Sequence, residues 1–66
     1  MEQQMKISLK SARINAGVSV DEAANAVRKH RNTVLRWESG KSGIPAKDFR
    51  TLCDLYRAPM SCIFLP

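Results

Sequence analysis

The stretch "SVDEAANAVRKHRNTVLRWESG", residues 19–40, decides how this chain of 66 residues folds. It opens on a capping box: the Ser19 hydroxyl is placed to accept from the Glu22 N–H, and the Glu22 carboxylate to reach back to the Ser19 N–H. Asp21 and Glu22 also suit the positive end of a helix dipole. The spacing predicts a helix over Val20–Val27, with Ala23, Ala24 and Val27 turned inward. Those side chains are small, so a second helix can come close. "RKH", residues 28–30, is long enough only for a tight turn. A further helix follows over Arg31–Ser39, with Gly40 as its left-handed stop. Val34 and Trp37 are three apart and share its inward face. Arg31, Asn32, Leu35 and Arg36 fall on the opposite side.

Outward from that stretch, Ser8 is a candidate N-cap for a first helix over Leu9–Ala16, and Gly17 its stop. Leu9, Ala12 and Ala16 share one face, and Arg13 adjoins it. "GKSGIP", residues 40–45, is a loop by its glycines and proline. Pro45 suits the first turn of a fourth helix that reaches Tyr56, because Phe49, Leu52, Cys53 and Tyr56 repeat at i, i+3, i+4 and i+7. Pro59 can open a short fifth helix carrying Met60, Ile63 and Phe64. No segment alternates with period two, so an all-α chain without a sheet is expected. Residues 1–7 read as a loosely held arm, and residues 8–66 as a single domain.

The net charge is +5, and all of the excess lies in residues 28–50. Seven cations stand there (Arg28, Lys29, Arg31, Arg36, Lys41, Lys47 and Arg50) against Glu38 and Asp48. Elsewhere Lys6, Lys10, Arg13 and Arg57 balance Glu2, Asp21, Glu22 and Asp54. A basic excess so localised suits a polyanion. Cys53 and Cys62 with a distant His30 make no metal motif. No apolar run approaches a membrane span and no signal peptide is visible, so a cytoplasmic protein with reduced thiols is expected. No nucleophile–base pair, metal set or phosphate-cradling loop is present, so neither an enzyme nor a cofactor is expected.

Two short helices joined by a tight turn make a helix-turn-helix. Arg31 and Asn32 stand at the N-terminal end of the second, the end that enters the DNA major groove. Arginine can bridge O6 and N7 of guanine, and asparagine N6 and N7 of adenine. Trp37 is the core anchor that fixes how this helix stands on the domain. The Lys41–Gly43 loop can bring backbone N–H groups to phosphate. His30 is open between a capping role and a base contact. Leu35 is open between a thymine methyl, a partner surface and partial burial.

The run "LKSARINAGVSVDEAANAVRKHRNTVLRWESGK" resembles the Cro/repressor helix-turn-helix family, also called the xenobiotic-response-element type, through Arg13, "AGVS", "EAA" and "TVLRWESGK". The resemblance covers about residues 8–65. It implies a compact five-helix, lambda-repressor-like fold that binds operator DNA as a dimer, and a small phage or mobile-element regulator. It further implies that Arg13 and Glu38 form an ion pair between the first and third helices. His30, Arg31, Asn32, Leu35 and Arg36 match base-facing positions, and Ser39, Lys41, Ser42 and Gly43 match the phosphate-facing loop. Two positions depart from the pattern. Val20 stands where a glutamine often touches the DNA backbone, and Arg28 where the turn often has a glycine. They leave a second reading open, a protein-interaction module that binds another regulator or a toxin. The partners expected are double-stranded DNA and a weak homodimer, with no membrane.

Overall fold

A computed structural model describes residues 6–65. Strand β1 (Ile7–Ser8) leads into helix α1 (Leu9–Asn15), followed by α2 (Val20–Val27), α3 (Arg31–Ser39) and α4 (Ala46–Tyr56). A 3-10 turn (Met60–Cys62) and strand β2 (Ile63–Phe64) follow. The described residues are thus mostly helical, with four α-helices among them and a helix-turn-helix at α2–α3. The expected arm over residues 1–7 lies outside the described residues at 1–5; Ile7 belongs to β1.

The caps explain where the helices begin. The Ser8 hydroxyl accepts from the Ser11 N–H. At α2 the whole capping box forms: the Glu22 N–H donates to Ser19 Oγ at 3.0 Å and the Ser19 N–H to Glu22 Oε1 at 2.9 Å. Those bonds hold the Glu22 carboxyl below its usual range. Pro45 sits one place earlier than the sequence reading puts it, as the residue before α4 rather than in its first turn.

All four α-helices stop the same way, on a left-handed residue whose successor donates back to a carbonyl five residues earlier. The left-handed residues are Gly17 (φ 72°), Arg28 (φ 57°), Gly40 (φ 79°) and Arg57 (φ 56°). The closing bonds run from Val18 to Arg13, Lys29 to Ala24, Lys41 to Arg36 and Ala58 to Cys53, at 2.9–3.1 Å. Arg28 therefore keeps the turn geometry that a glycine would take more easily.

The core is Leu9 and Ala12 of α1, Ala23, Ala24 and Val27 of α2, Val34 and Trp37 of α3, Leu52, Cys53 and Tyr56 of α4, and Ile63 of β2. Ala23 and Val34 are fully covered, which is the close approach that small residues on α2 allow. Ala16, expected on the inner face, lies beyond the end of α1 and is exposed.

Two expectations are corrected at the C-terminal end. The fifth helix is absent among the described residues; its place is taken by the 3-10 turn and β2. A sheet is present, with β1 and β2 running parallel in the register Ile7 to Ile63 and Ser8 to Phe64. The left-handed Arg57 ends α4, and Pro59 precedes the 3-10 turn. The β-branched Ile63 reaches the core instead from an extended backbone that bonds to β1. Phe64 and Leu65 on either side of the strand's end are left half-exposed.

Candidate nucleic-acid interface

Helix α3 is divided along its length. Val34 and Trp37 are buried, while Arg31, Asn32, Leu35 and Arg36 are exposed on the other side. Trp37 is 4% exposed and Leu35 40%, two residues apart on opposite sides of one helix. The orientation of the helix follows from this division: the apolar pair faces the core, so the arginines and Asn32 must face solvent.

A shielded ion pair reinforces that orientation from α1. Arg13 Nε donates to Glu38 Oε2 at 2.7 Å and Arg13 Nη1 to the Val18 carbonyl at 3.1 Å. The two side chains are 11% and 4% exposed. The hydrogen bond to Glu38 raises the Arg13 guanidinium above its ordinary value against the opposing effect of burial. One guanidinium thereby fixes both the α1–α3 contact and the turn after α1. Tyr56 lies beneath this pair. Its hydroxyl is buried without a hydrogen-bond partner among the described residues. Burial, and secondarily the Glu38 carboxylate, push it up to about 12.

The outer residues are already organised by local contacts. His30 is the N-cap of α3: its Nδ1 accepts from the Asn32 N–H at 3.2 Å. A base-facing role for His30 must thus coexist with that bond. Arg31 Nε lies 3.2 Å from Asp21 Oδ1 on α2, both side chains being well exposed. Arg36 Nε donates to Ser42 Oγ at 2.9 Å, tying the outer face to the loop after α3. The Ser39 hydroxyl donates to the Arg36 carbonyl at 3.2 Å.

In the loop after α3 the Lys41 and Ser42 N–H groups donate to the Arg36 carbonyl at 2.9 and 3.4 Å and so close the helix. The last carbonyls of a helix need donors, and the next two residues are the nearest source. Lys41 and Gly43 of this loop are exposed.

A groove of about 700 Å³ runs between α1 and α3, lined by Lys10, Asn32, Leu35, Arg36, Ser39 and Lys41 above the Arg13–Glu38 pair. It gathers Asn32, Leu35 and Arg36 with Ser39 at the end of α3 and Lys41 of the loop. Lys10 also joins it, and the sequence reading passed that residue over. The signal was available, since Lys10 precedes Arg13 by three residues on one helix and so shares its side. Val20 is half-buried and packs against the core. Among the described residues no group of three or more His, Cys, Asp or Glu is placed to hold a metal ion, and no helix is long and apolar enough to cross a membrane.

Residues 7–61 match the family described as the helix-turn-helix domain. No curated protein and no solved structure matches the chain significantly.

Proposed function

The chain belongs to the helix-turn-helix domain family, and from that premise we propose a sequence-specific DNA-binding transcriptional regulator of the Cro/repressor type, from a phage or mobile element, whose α3 reads the major groove. The observation that carries the reading is the division of α3: its apolar face is locked inward by Val34, Trp37 and the Arg13–Glu38 pair, leaving Arg31, Asn32, Leu35 and Arg36 exposed together. Arg31 and Asn32 contact base edges near the helix N-terminus, and Leu35 meets a thymine methyl. Arg36 contributes at the rim of the groove, with Ser42 holding it. His30 caps the helix and reaches the edge of the same site. Lys41, Ser39, Ser42 and Gly43 follow the phosphate backbone, with Lys41 as the main cation.

One such helix spans too few base pairs to select a site from a genome. The regulator therefore acts as a weak homodimer completed on DNA, with half-sites about 34–36 Å apart. Met60, Phe64 and Leu65, exposed near the C-terminal end, support an apolar contact between copies. Selection of binding sites from random duplex, followed by salt titration on the winner, tests the reading. The expected result is an inverted repeat with a steep fall of affinity with salt, about −0.9 in log–log slope per phosphate contact. A chain that enriches no sequence and binds no duplex at low salt would overturn it. Leu35, a large apolar side chain in the middle of the outer face, is the observation that favours the second reading, in which α3 binds another regulator or a toxin.

A further inference from the structure

Asp21 is an acidic residue on a surface otherwise built to meet an acid. It stands in the first turn of α2, 72% exposed at its side chain, with Arg31 Nε 3.2 Å from its Oδ1. Placed beside a phosphate backbone, a free carboxylate opposes binding. Paired with Arg31, it has a different effect.

A guanidinium carries five N–H donors in a planar fork. Guanine is read by the two terminal nitrogens, which donate in parallel to O6 and N7. The Asp21 carboxylate stands on the Nε side of the fork as an exposed ion pair and leaves the terminal edge open. It also restricts the rotation of a long side chain that is 56% exposed and otherwise free to sample many rotamers. A small part of the ordering is therefore done before DNA arrives. The same carboxylate repels any phosphate that would capture Arg31 as a simple counterion. It thus favours base contact over backbone contact for this one cation.

Beyond the small effect of a first-turn carboxylate on the α2 dipole, Asp21 takes no part in the cap or the core. The α2 cap is made by Ser19 and Glu22, which bond to each other and not to Asp21. Asp21 lies outside the core.

Resting on the reading of α3 as the base-reading helix, we propose that Asp21 is a positioning residue: it presents the terminal edge of Arg31 to a guanine and lowers the affinity of that arginine for bare phosphate. The operator half-site accordingly contains a guanine opposite Arg31, and Asp21 sets how strongly it is demanded.

The test compares Asp21→Asn, Arg31→Ala and the double variant, each assayed on the selected duplex, on the same duplex with every single base pair replaced, and on random duplex. Arg31→Ala identifies the base pair concerned as the one whose replacement ceases to matter, with a loss of about tenfold or more on the selected site. Asp21→Asn should lower the preference at that same base pair by about 1.4- to fivefold, the range of an exposed ion pair. It should leave the other positions alone and bind random duplex as tightly as wild type or tighter. In the Arg31→Ala background it should change no base preference, because the two act through one contact. A merely structural role would weaken all duplexes alike and shift the melting temperature. That outcome, or a full guanine preference retained in Asp21→Asn, would overturn the inference while leaving the proposed function in place. If wild-type protein shows no sequence preference at all, the function fails first and the inference with it.

Discussion

The inner and outer faces of α3 carry residues of similar size but answer to different physics. On the inner face Val34 and Trp37 are buried, and Glu38 is held by a guanidinium that is itself shielded. Loss of any atom there leaves a cavity or an uncompensated charge. On the outer face Arg31 and Arg36 each make one exposed polar contact, and such contacts contribute little to stability. The division separates two jobs along one helix: the inner face sets the angle, and the outer face is free to be chosen by what it binds. The same residue type in the two settings makes the point. Arg13 is structural because it is buried against Glu38; Arg31 is available because water reaches it.

The comparison breaks most visibly on the inner side. Glu38→Ala leaves the Arg13 guanidinium shielded and unpaired, at a cost of about 3–5 kcal/mol. For so small a domain that is a large part of the whole stability. Thermal melting should show the variant largely unfolded well below wild type. A melting temperature within a degree or two of wild type would remove the pair from any role in holding α3.

Below that in size is a pH effect from the same buried layer. The Tyr56 hydroxyl is pushed up to about 12, so its neutral form is favoured by the fold. Its contribution is complete below pH 10, the ordinary tyrosine value, and is lost as the pH climbs toward 12, on the order of 2 kcal/mol in total. Tyr56→Phe should flatten that alkaline limb in urea titrations at fixed pH, and should cost little at pH 7 because the hydroxyl has no partner among the described residues. An unchanged alkaline limb would place the loss elsewhere.

On the outer side the effects move from stability to binding. Asn32→Ala should cost about 1–3 kcal/mol on the selected duplex and change which base is preferred. Lys41→Ala should weaken all duplexes alike and reduce the salt slope by about one. Equal losses from both variants on selected and random duplex would erase the distinction between reading and clamping.

The smallest effect sharpens the turn between the two helices. Arg28 holds a left-handed conformation at φ 57° that costs an ordinary L-residue about 1 kcal/mol. Arg28→Gly should therefore leave stability unchanged or raise it by up to about 1 kcal/mol, with the greater freedom of glycine in the unfolded chain working the other way. A loss of 2 kcal/mol or more would show that the side chain makes a stabilising contact.

What was legible in the sequence follows the same division between local and distant causes. The α2 capping box, the bounds of α3 and the stops at Gly17 and Gly40 all depend on residues within five positions of each other, and they stand where the spacing puts them. The Arg13–Glu38 pair came only through family resemblance, since nothing in the spacing of residues 25 apart announces a contact. The β1–β2 pairing was invisible because two-residue strands show no alternation, and their partners lie at opposite ends of the chain. Asp48 enters the charge count as an acid of the basic window, and nothing in the spacing shows that it is buried in the first turn of α4. In the interface, the set Arg31, Asn32, Leu35 and Arg36 was readable from helical period. The use of His30 as a cap, the Arg36–Ser42 bond and the turning-in of the Lys41 and Ser42 N–H groups depend on rotamers and loop closure, which the period does not encode.

The most direct test replaces the outer face alone. A variant with Arg31, Asn32, Leu35 and Arg36 all changed to Ala keeps Val34, Trp37 and Glu38, and each new residue is the best helix former. Binding of this variant to the selected duplex and to random duplex, measured beside its melting temperature, asks whether the two faces are separate. The account predicts a folded domain that melts within a few degrees of wild type and binds both duplexes equally and weakly. A folded variant that still prefers the selected duplex would contradict it.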